Sequence, residues 1–303
     1  MKKSITDLAL NEKEVATVLK GKVEWVFDVI EKALLARDSG DAIFPDKVSQ
    51  IFNKDTQERI NCMPATIISD KVSGVKWVSV FPPNPSKGVQ NVSGIVILSE
   101  LETGFPKAVM DGTLLTNIRT AAIGTVASKY LAKRGSEVIG FIGAGEEARM
   151  HFTLLKHMHP SLKKCFVASR RASTECEFVS QLVKVFPDVE FVKCNGDNSM
   201  AVREADIIVT AVSCQLPLLK AKDMKKGCLY IHVGGWEDEF AVPQLCDKIV
   251  CDEWHAVKHR SQTLSRMYMQ GLLSDSDIYA DLVDIISSRK AGRETDIERI
   301  YFN

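Results

Sequence analysis

The sequence has no long hydrophobic run and no excess of charge of either sign. No apolar run reaches the roughly 20 residues that a membrane-spanning helix needs, and the first residues lack the apolar core of a signal peptide. We therefore expect a cytoplasmic location and no membrane partner. Lys and Arg total 39, as do Asp and Glu, so there is no overall field to attract nucleic acid. Nucleic acid is not an expected partner either.

The sequence also has no Cys-x-x-Cys pair, although it contains eight cysteines. Scattered cysteines in apolar surroundings favour reduced core residues over disulfides or a metal site, so no bound metal is predicted. Internal repeats and low-complexity linkers are missing as well. With 303 residues, 45% of them hydrophobic, the chain has the length and the apolar content for two domains of ordinary size.

The most informative stretch that is present is a glycine-rich turn. The apolar run Val138–Ile142 before it is typical of a buried parallel strand, and a helical pattern follows it. In this turn Gly143 permits the tight bend, Gly145 lets the backbone approach a pyrophosphate, and Ala148 lets helix pack on strand; Ala144 lies between the two glycines. The N–H groups at the helix N-terminus suit phosphates. The pattern predicts the first strand-turn-helix of a dinucleotide site, with a purely structural turn as the alternative.

The periodicity of the apolar residues changes along the chain. Residues 12–38 and 111–132 have helical spacing, whereas residues 43–98 read as short strands of a mixed or antiparallel sheet. From residue 138 onward short apolar strands alternate with helices, before a polar tail at 261–303 that we expect to be helical. This order predicts an α/β chain, with a Rossmann-type doubly wound parallel sheet and a separate α+β domain.

The ends of two predicted strands bear on the cofactor. An NAD enzyme normally places Asp or Glu after the second strand, whereas this chain has Ser169, Arg170 and Arg171, which suit the 2′-phosphate of NADP. The cofactor is thus expected to be NAD or NADP, with NADP favoured; solvated arginines at the start of a loop are the alternative. Thr210 and Val212 close the fourth strand at its carboxyl end, where such sheets bind ligands, although ordinary strand core would also explain them.

Four segments together resemble the ornithine cyclodeaminase and mu-crystallin family. They are the stretch around Lys76 in Gly-Val-Lys-Trp-Val, residues 115–122 (Leu-Thr-Asn-Ile-Arg-Thr-Ala-Ala), the glycine turn, and residues 255–260 (His-Ala-Val-Lys-His-Arg). The resemblance covers nearly the whole chain. Within the family, residues 74–82 and the tail look most like siderophore-pathway dehydrogenases that act on N-(2-amino-2-carboxyethyl)-glutamate.

The resemblance implies a domain arrangement. A discontinuous substrate-binding and dimerisation domain would comprise residues 1–115 and 293–303, and an NAD(P)-binding Rossmann domain would comprise residues 116–292. Substrate and nicotinamide would meet between the two, and a homodimer would form through the sheet of the first. Relatives run on past the position of Asn303 into a glycine-rich segment, so we expect this chain either to be shortened or to lack that closing element.

The resemblance also assigns roles by position. Lys76 resembles the lysine that contacts the substrate and polarises the reacting carbon–nitrogen centre, Arg119 resembles an arginine that binds a carboxylate, and Lys47 stands where relatives often place another carboxylate-binding cation. Arginine offers a planar fork to a carboxylate, and a buried lysine can exchange protons with an amine or imine. Asn91 and Thr120 stand where relatives contact the nicotinamide or the phosphates. Surface or salt-bridging roles are the alternative for the three cations.

One position departs from the family pattern. Relatives that perform cyclodeamination carry an Asp just after the fifth strand, and this chain has Trp236 at that place. Cyclisation of ornithine needs a correctly placed base, so the departure argues against it. Glu237, Asp238 or Glu239 could replace the base, but we expect a solvated acidic turn there.

Three histidines are acid–base candidates, because histidine titrates near neutral pH. We expect His232, at the end of a buried strand, to be structural. His255 and His259 have the four-residue spacing of a helical metal pair but no convincing third ligand, so a loop wall is expected.

The expected function is that of an NAD(P)-dependent amino-acid dehydrogenase or imine reductase. It would act on the C–N bond of a small, carboxylate-rich, opine-like amino acid. Two alternatives stay open, namely an ornithine cyclodeaminase-type lyase and a mu-crystallin-like protein that binds NADPH and mainly sequesters a ligand. Retention of Lys76 and Arg119 favours the enzyme.

Overall fold

The structure is a computed structural model that describes residues 8–303. It divides into two compact units, and the division falls after Arg119. The sequence predicted a boundary after residue 115, a few residues earlier. Both positions lie within one long helix, Thr113–Leu131.

The first unit combines two N-terminal helices with a sheet. Its elements are, in chain order, β1 (Ala9–Leu10), α1 (Glu12–Leu19), α2 (Val23–Asp38), β2 (Ala42–Ile43), β3 (Val48–Asn53), β4 (Glu58–Ile67), β5 (Val72–Val80), a 3-10 helix (Asn84–Lys87), β6 (Val92–Glu100), β7 (Pro106–Asp111) and the beginning of α3 (Thr113–Leu131). A capping box starts α1, because the Asn11 side chain accepts from the Glu14 N–H while the Glu14 carboxylate accepts from the Asn11 N–H.

The sheet of the first unit has seven strands in the order β1-β7-β6-β5-β4-β2, with β3 also paired to β4. Every pairing is antiparallel except that of β1 with β7. The prediction of a mixed or antiparallel sheet for residues 43–98 is thus confirmed. The predicted helices on either side of it are confirmed as well.

The second unit alternates strands and helices. After the remainder of α3, its elements are β8 (Val138–Ile142), α4 (Glu146–Met158), β9 (Lys164–Ala168), α5 (Ala172–Val185), β10 (Glu190–Lys193), α6 (Asn198–Val202), β11 (Ile207–Thr210), β12 (Gln215–Leu219), a 3-10 helix (Ala221–Asp223), β13 (Leu229–His232), β14 (Trp236–Asp238), α7 (Ala241–Leu245), β15 (Lys248–Cys251), α8 (Trp254–Val257), α9 (Thr263–Met269), a 3-10 helix (Asp275–Asp277), β16 (Ala280–Asp281), α10 (Leu282–Ile286) and β17 (Ile300–Phe302).

The main sheet of the second unit is entirely parallel, in the order β10-β9-β8-β11-β13-β17-β15-β16. Counting from β8, the first five strands have the order 3-2-1-4-5, and the chain reverses its direction of winding between β8 and β11. That is the doubly wound arrangement in which ligands bind outside the carboxyl ends of the strands. The predicted Rossmann-type sheet is confirmed.

Strand β8 packs on an aromatic core. The ring of Phe141 lies 6.3 Å from that of Phe152 and 5.5 Å from that of Phe178, and all three side chains are fully buried. Phe152 comes from α4 and Phe178 from α5, so the two helices are held against the strand that carries the glycine turn. Burial of large aromatic side chains contributes heavily to such a core.

The C-terminal tail is helical at α9 and α10, as predicted, but its end differs from the prediction. It was expected to be helical, with residues 293–303 in the first domain, whereas Ile300–Phe302 forms β17, inserted between β13 and β15 in the second unit. Ile300 and Tyr301 are fully buried and Phe302 nearly so. Three apolar residues that pair on both edges satisfy their backbone groups and leave water together, which favours this place over a polar helix.

No helix within residues 8–303 is both long and apolar enough to cross a membrane.

Candidate nucleotide-binding site

The glycine turn lies at the carboxyl end of β8. Gly143 has a φ of 107°, a conformation that side chains other than glycine rarely adopt. A Cβ at this position would also collide with the Ala211 carbonyl oxygen in the loop after β11. Gly143 is therefore required both for the bend and for the close approach of two strand-end loops.

The residues beyond the bend leave room for a ligand. Gly145 is the N-terminal cap of α4, and a Cβ there would have no neighbouring atom within 4 Å. Ala148 is fully buried, as expected for a residue that lets the helix approach the strand. An open position over the N-terminus of a 13-residue helix fits a pyrophosphate, whose oxygens would accept from the first N–H groups.

The loop after β9 presents the two predicted arginines. Arg170 and Arg171 are exposed, and Ser169 is half-buried. The Ser169 N–H donates to Oε1 of Glu175 at 2.8 Å. Glu175 is fully buried and also accepts from the N–H groups of Asn195 and Gly196, both at 2.8 Å.

The loop after β11 is built differently. Thr210 is fully buried, and its hydroxyl lies 2.7 Å from Glu237 Oε2 and 2.8 Å from the Tyr230 hydroxyl. Its side chain is therefore engaged within the unit. Val212 is half-buried, and its N–H donates to Glu237 Oε1 at 2.6 Å.

The acidic stretch after β13 corrects the prediction of a solvated turn. Glu237 and Asp238 are both fully buried in β14. Thr210, Val212 and the Gly234 N–H supply three hydrogen bonds to Glu237, and the hydroxyls of Thr263, Tyr301 and Tyr230 approach Asp238 Oδ1 at 2.6, 3.2 and 3.3 Å. Apart from Gly234 and Tyr230, these donors lie at least 25 residues away along the chain, and all of them replace water.

The contacts and the burial of Trp236 and of the three candidate histidines indicate structural or surface roles. The indole of Trp236 lies 4.8 Å from the guanidinium of Arg266, a cation–π contact. His232 is buried, and its Nε2 hydrogen-bonds to the Gly235 carbonyl oxygen at 2.8 Å, as expected for a structural histidine. His255 and His259 are exposed, with ring centroids 5.7 Å apart. Across residues 8–303 no three His, Cys, Asp or Glu side chains are grouped to hold a metal ion.

The predicted substrate-binding cations lie in the first unit. Lys76 is half-buried in the middle of β5, where it pairs with Met63 and Val96. Lys47 is exposed and directly precedes β3, whose first pair joins Val48 to Cys62. Because Cys62 neighbours Met63 on β4, the two lysines lie at the same level of the sheet.

Three other predicted site residues, Arg119, Thr120 and Asn91, are not in the strands of this sheet. Arg119 and Thr120 are half-buried in the middle of α3, and Asn91, also half-buried, directly precedes β6. The backbone carbonyl of Asn91 accepts from the Phe81 N–H at 2.8 Å. The roles of Arg119, Thr120 and Asn91 at the site stay predictions.

Glu175 was not predicted as a site residue, and Glu237 was named only as a replacement for the base of the cyclodeaminases. A signal for Glu175 was present, because it shares the buried face of α5 with Phe178 and Leu182 at helical spacing. A carboxylate on the apolar stripe of a helix indicates an internal partner. For Glu237 the local pattern of Gly-Gly-Trp-Glu-Asp-Glu gave no such signal.

Residues 9–303 match the family model described as the ornithine cyclodeaminase/mu-crystallin family. The chain belongs to that family. Among its relatives is the N-((2S)-2-amino-2-carboxyethyl)-L-glutamate dehydrogenase of Staphylococcus aureus, 26% identical over 98% of this chain and 89% of that one. The predicted family is confirmed.

Two solved structures are similar over almost the entire chain. The Δ1-pyrroline-2-carboxylate reductase of Thermococcus litoralis, in complex with NADH and L-proline, has a TM-score of 0.90 and 26% identity, covering 97% of this chain and 91% of that one. An archaeal alanine dehydrogenase dimer with bound NAD has a TM-score of 0.87 and 29% identity, covering 97% and 89%. The expected class, a nicotinamide-dependent dehydrogenase or reductase, is confirmed by these relatives.

Proposed function

We propose that this protein is an NAD(P)-dependent oxidoreductase that acts on the C–N bond of a carboxylate-rich, opine-like amino acid. The observation that carries the proposal is the glycine turn at the carboxyl end of β8, with its open position over the N-terminus of α4. Gly143, Gly145 and the first N–H groups of α4 would hold the pyrophosphate. When bound, the nicotinamide supplies or accepts the hydride.

The substrate class follows from the cations. Lys47, Lys76 and Arg119 are proposed to bind substrate, because lysine and arginine side chains form strong, charge-assisted hydrogen bonds with carboxylates. Lys76 would take the proton from the substrate nitrogen in the oxidative direction and return it in the reductive one. The relative from S. aureus supports such a substrate, and we extend the proposal to siderophore biosynthesis.

NADP is proposed as the preferred cofactor. Arg170 and Arg171 are exposed at the end of β9, where a 2′-phosphate would meet two cations and no acidic side chain that accepts from a ribose hydroxyl. The two similar solved structures contain NADH or NAD, so the preference for NADP is proposed from the two arginines of this chain and not from its relatives.

A homodimer is proposed through the sheet of the first unit. The strand register places four residues side by side on β3, β4, β5 and β6, namely Val48, Cys62, Trp77 and Ile95. Val48, Trp77 and Ile95 are 62%, 40% and 43% exposed. An apolar row of this kind on an open sheet is typical of a surface that another subunit covers, and the similar archaeal alanine dehydrogenase is a dimer.

The experiment that tests the function follows the absorbance of reduced nicotinamide. The protein is incubated with NADP⁺ or NAD⁺ and a series of N-carboxyalkyl amino acids, with alanine and ornithine as comparison substrates. We expect reduction of the nucleotide with the diacids and triacids. Release of proline and ammonia from ornithine would instead show a cyclodeaminase, and nucleotide binding without turnover of any substrate would show a ligand-binding protein.

A further inference from the structure

Two buried glutamates flank the glycine turn. Strand β8, which ends in the turn, lies between β9 on one side and β11 on the other. Glu175 lies on the β9 side and Glu237 on the β11 side, and both are 0% exposed. Each belongs to an element outside the main sheet, α5 in one case and β14 in the other.

Glu175 joins the loops that follow two neighbouring strands. Its Oε1 accepts from the Ser169 N–H after β9 and from the Gly196 N–H after β10, and its Oε2 accepts from the Asn195 N–H, all at 2.8 Å. Asn195 and Gly196 have φ values of 50° and 84°, a left-handed pair of residues whose N–H groups point to the same carboxylate. Glu175 thus fixes the start of the segment that carries Arg170.

Glu237 joins the next two strand ends. Its Oε1 accepts from the Val212 N–H after β11 at 2.6 Å, and its Oε2 accepts from the Gly234 N–H after β13 at 2.8 Å. A Cβ on Gly234 would collide with this carboxylate and with the Val212 carbonyl oxygen. The two loops are therefore packed on each other around Glu237.

We propose that Glu175 and Glu237 are positioning residues for the two halves of the nucleotide site. The inference rests on the proposed function, because it takes the dinucleotide to lie across the glycine turn. In a doubly wound sheet the adenosine half lies over the strands on one side of the turn and the nicotinamide half over those on the other. Glu175 then sets the loop that meets the adenosine half, and Glu237 sets the loops that meet the nicotinamide half.

Glutamate and glutamine differ at these two positions in the number of hydrogen bonds that they accept. Both oxygens of each carboxylate accept from donors, and hydrogen bonds to a charged acceptor are stronger than neutral ones. A glutamine has nearly the same shape but only one accepting oxygen, so its NH₂ group faces an N–H that was previously bonded. The loop must then shift. A shift at Glu175 changes the contacts with the adenosine half of the ligand, whereas a shift at Glu237 changes those with the nicotinamide half.

The test compares Glu175→Gln and Glu237→Gln with two probes by calorimetric titration. One probe is the dinucleotide that the unmodified protein binds more tightly, NADPH or NADH. The other is its adenosine half, adenosine 2′,5′-bisphosphate or ADP. We expect Glu175→Gln to weaken both probes about tenfold, the range for one lost charge-assisted hydrogen bond. Glu237→Gln should weaken only the dinucleotide by that factor.

Two glutamates, each two residues away, supply controls: Glu177 is exposed and Glu239 is only partly buried. Glu177→Gln and Glu239→Gln should leave both affinities within about twofold, since a surface side chain contributes little. Equal losses for both probes in both variants, or no loss in either, would overturn the inference. If the unmodified protein binds neither dinucleotide, the proposed function itself fails, which is a different result.

A measurement on the unmodified protein tests the same proposal even if the variants do not fold. Amide hydrogen exchange is followed with each probe bound. The adenosine half should slow exchange at Ser169, Asn195 and Gly196, and only the dinucleotide should also slow it at Val212 and Gly234. Uniform slowing of all five amides by the adenosine half would contradict the division of roles.

Discussion

His232 Nε2 lies 3.5 Å from Asp238 Oδ1, and both side chains are fully buried. Burial raises the pKa of Asp238 to about 6, although the nearby His232 and the hydrogen bond from Thr263 act in the opposite direction. Glu237, which is 3.7 Å from the same imidazole nitrogen, and the hydroxyls of Tyr230 and Tyr301 complete the groups that face this pair. The carboxyl group of Asp238 therefore titrates within the range of ordinary stability measurements.

We predict that Asp238→Asn changes the pH dependence of stability. The folded-state pKa is raised from 3.8 to about 6, so the folded state holds the proton more tightly than the unfolded chain. That stabilisation is complete below about pH 4 and is lost as the pH rises through about 6, which amounts to about 3 kcal/mol. Relative to the unmodified protein, Asp238→Asn should gain about 2 kcal/mol of that free energy of unfolding between pH 4.5 and 8, measured with urea.

Glu239→Gln is the control for this measurement, because its carboxylate is next in sequence and only partly buried. It should show no such gain. A difference between Asp238→Asn and the unmodified protein that stays constant with pH would refute the assignment.

Lys76→Ala should leave nucleotide binding nearly intact and lower turnover by about two orders of magnitude or more, as expected for loss of a positioned proton-transfer group. Steady-state rates at saturating substrate, with a separate nucleotide titration, measure both. Lys107→Ala, an exposed lysine on β7 of the same sheet, should turn over normally. Unchanged turnover in Lys76→Ala would remove this lysine from the mechanism.

Arg170→Asp should weaken NADPH binding and improve NADH relative to it. The substitution repels the 2′-phosphate and supplies an acceptor for a ribose hydroxyl. Fluorescence titration with both nucleotides gives the ratio of affinities, and Lys184→Asp at the far end of α5, which is exposed, should leave the ratio unchanged. Tighter binding of NADH than NADPH by the unmodified protein would show that the two arginines do not select NADP.

Gly143→Ala should abolish detectable nucleotide binding and lower the free energy of unfolding by more than Gly135→Ala does. Gly135 also has a positive φ, 70°, but a Cβ there meets no atom within 4 Å, so its substitution costs only the left-handed strain of about 1–2 kcal/mol. Gly143→Ala adds the collision with Ala211. Urea unfolding of the two variants side by side separates strain from collision. Equal losses of the free energy of unfolding would mean that the loop after β11 moves to make room for the added methyl group.

Trp77→Glu combined with Ile95→Glu should convert the proposed dimer to monomers, because two carboxylates would be buried without partners. Light scattering after size exclusion measures the mass. Ile297→Glu is a suitable control, since Ile297 is 65% exposed in the second unit. A monomeric unmodified protein, or a doubly substituted protein that stays dimeric, would place the interface elsewhere or exclude it.

Much of the fold follows from local patterns. The apolar run of β8, the glycine at 143 and the helical spacing after it predicted the strand-turn-helix correctly, because each depends on residues within a few positions of one another. The alternation of strands and helices after residue 138 likewise predicted the parallel sheet. The stripe of Glu175, Phe178 and Leu182 on α5 is the same kind of local pattern, and it indicates that Glu175 is buried.

The sequence by itself determined the family, the kind of sheet in each unit and the position of the glycine turn. Tertiary structure alone decided that Ile300–Phe302 joins the parallel sheet and that Glu237 and Asp238 are buried. The donors that make those burials favourable, such as Val212, Thr263 and Tyr301, are between 25 and 63 residues away along the chain. An acidic stretch is solvated or buried according to whether such donors reach it, because an unsatisfied buried carboxylate costs far more than a paired one.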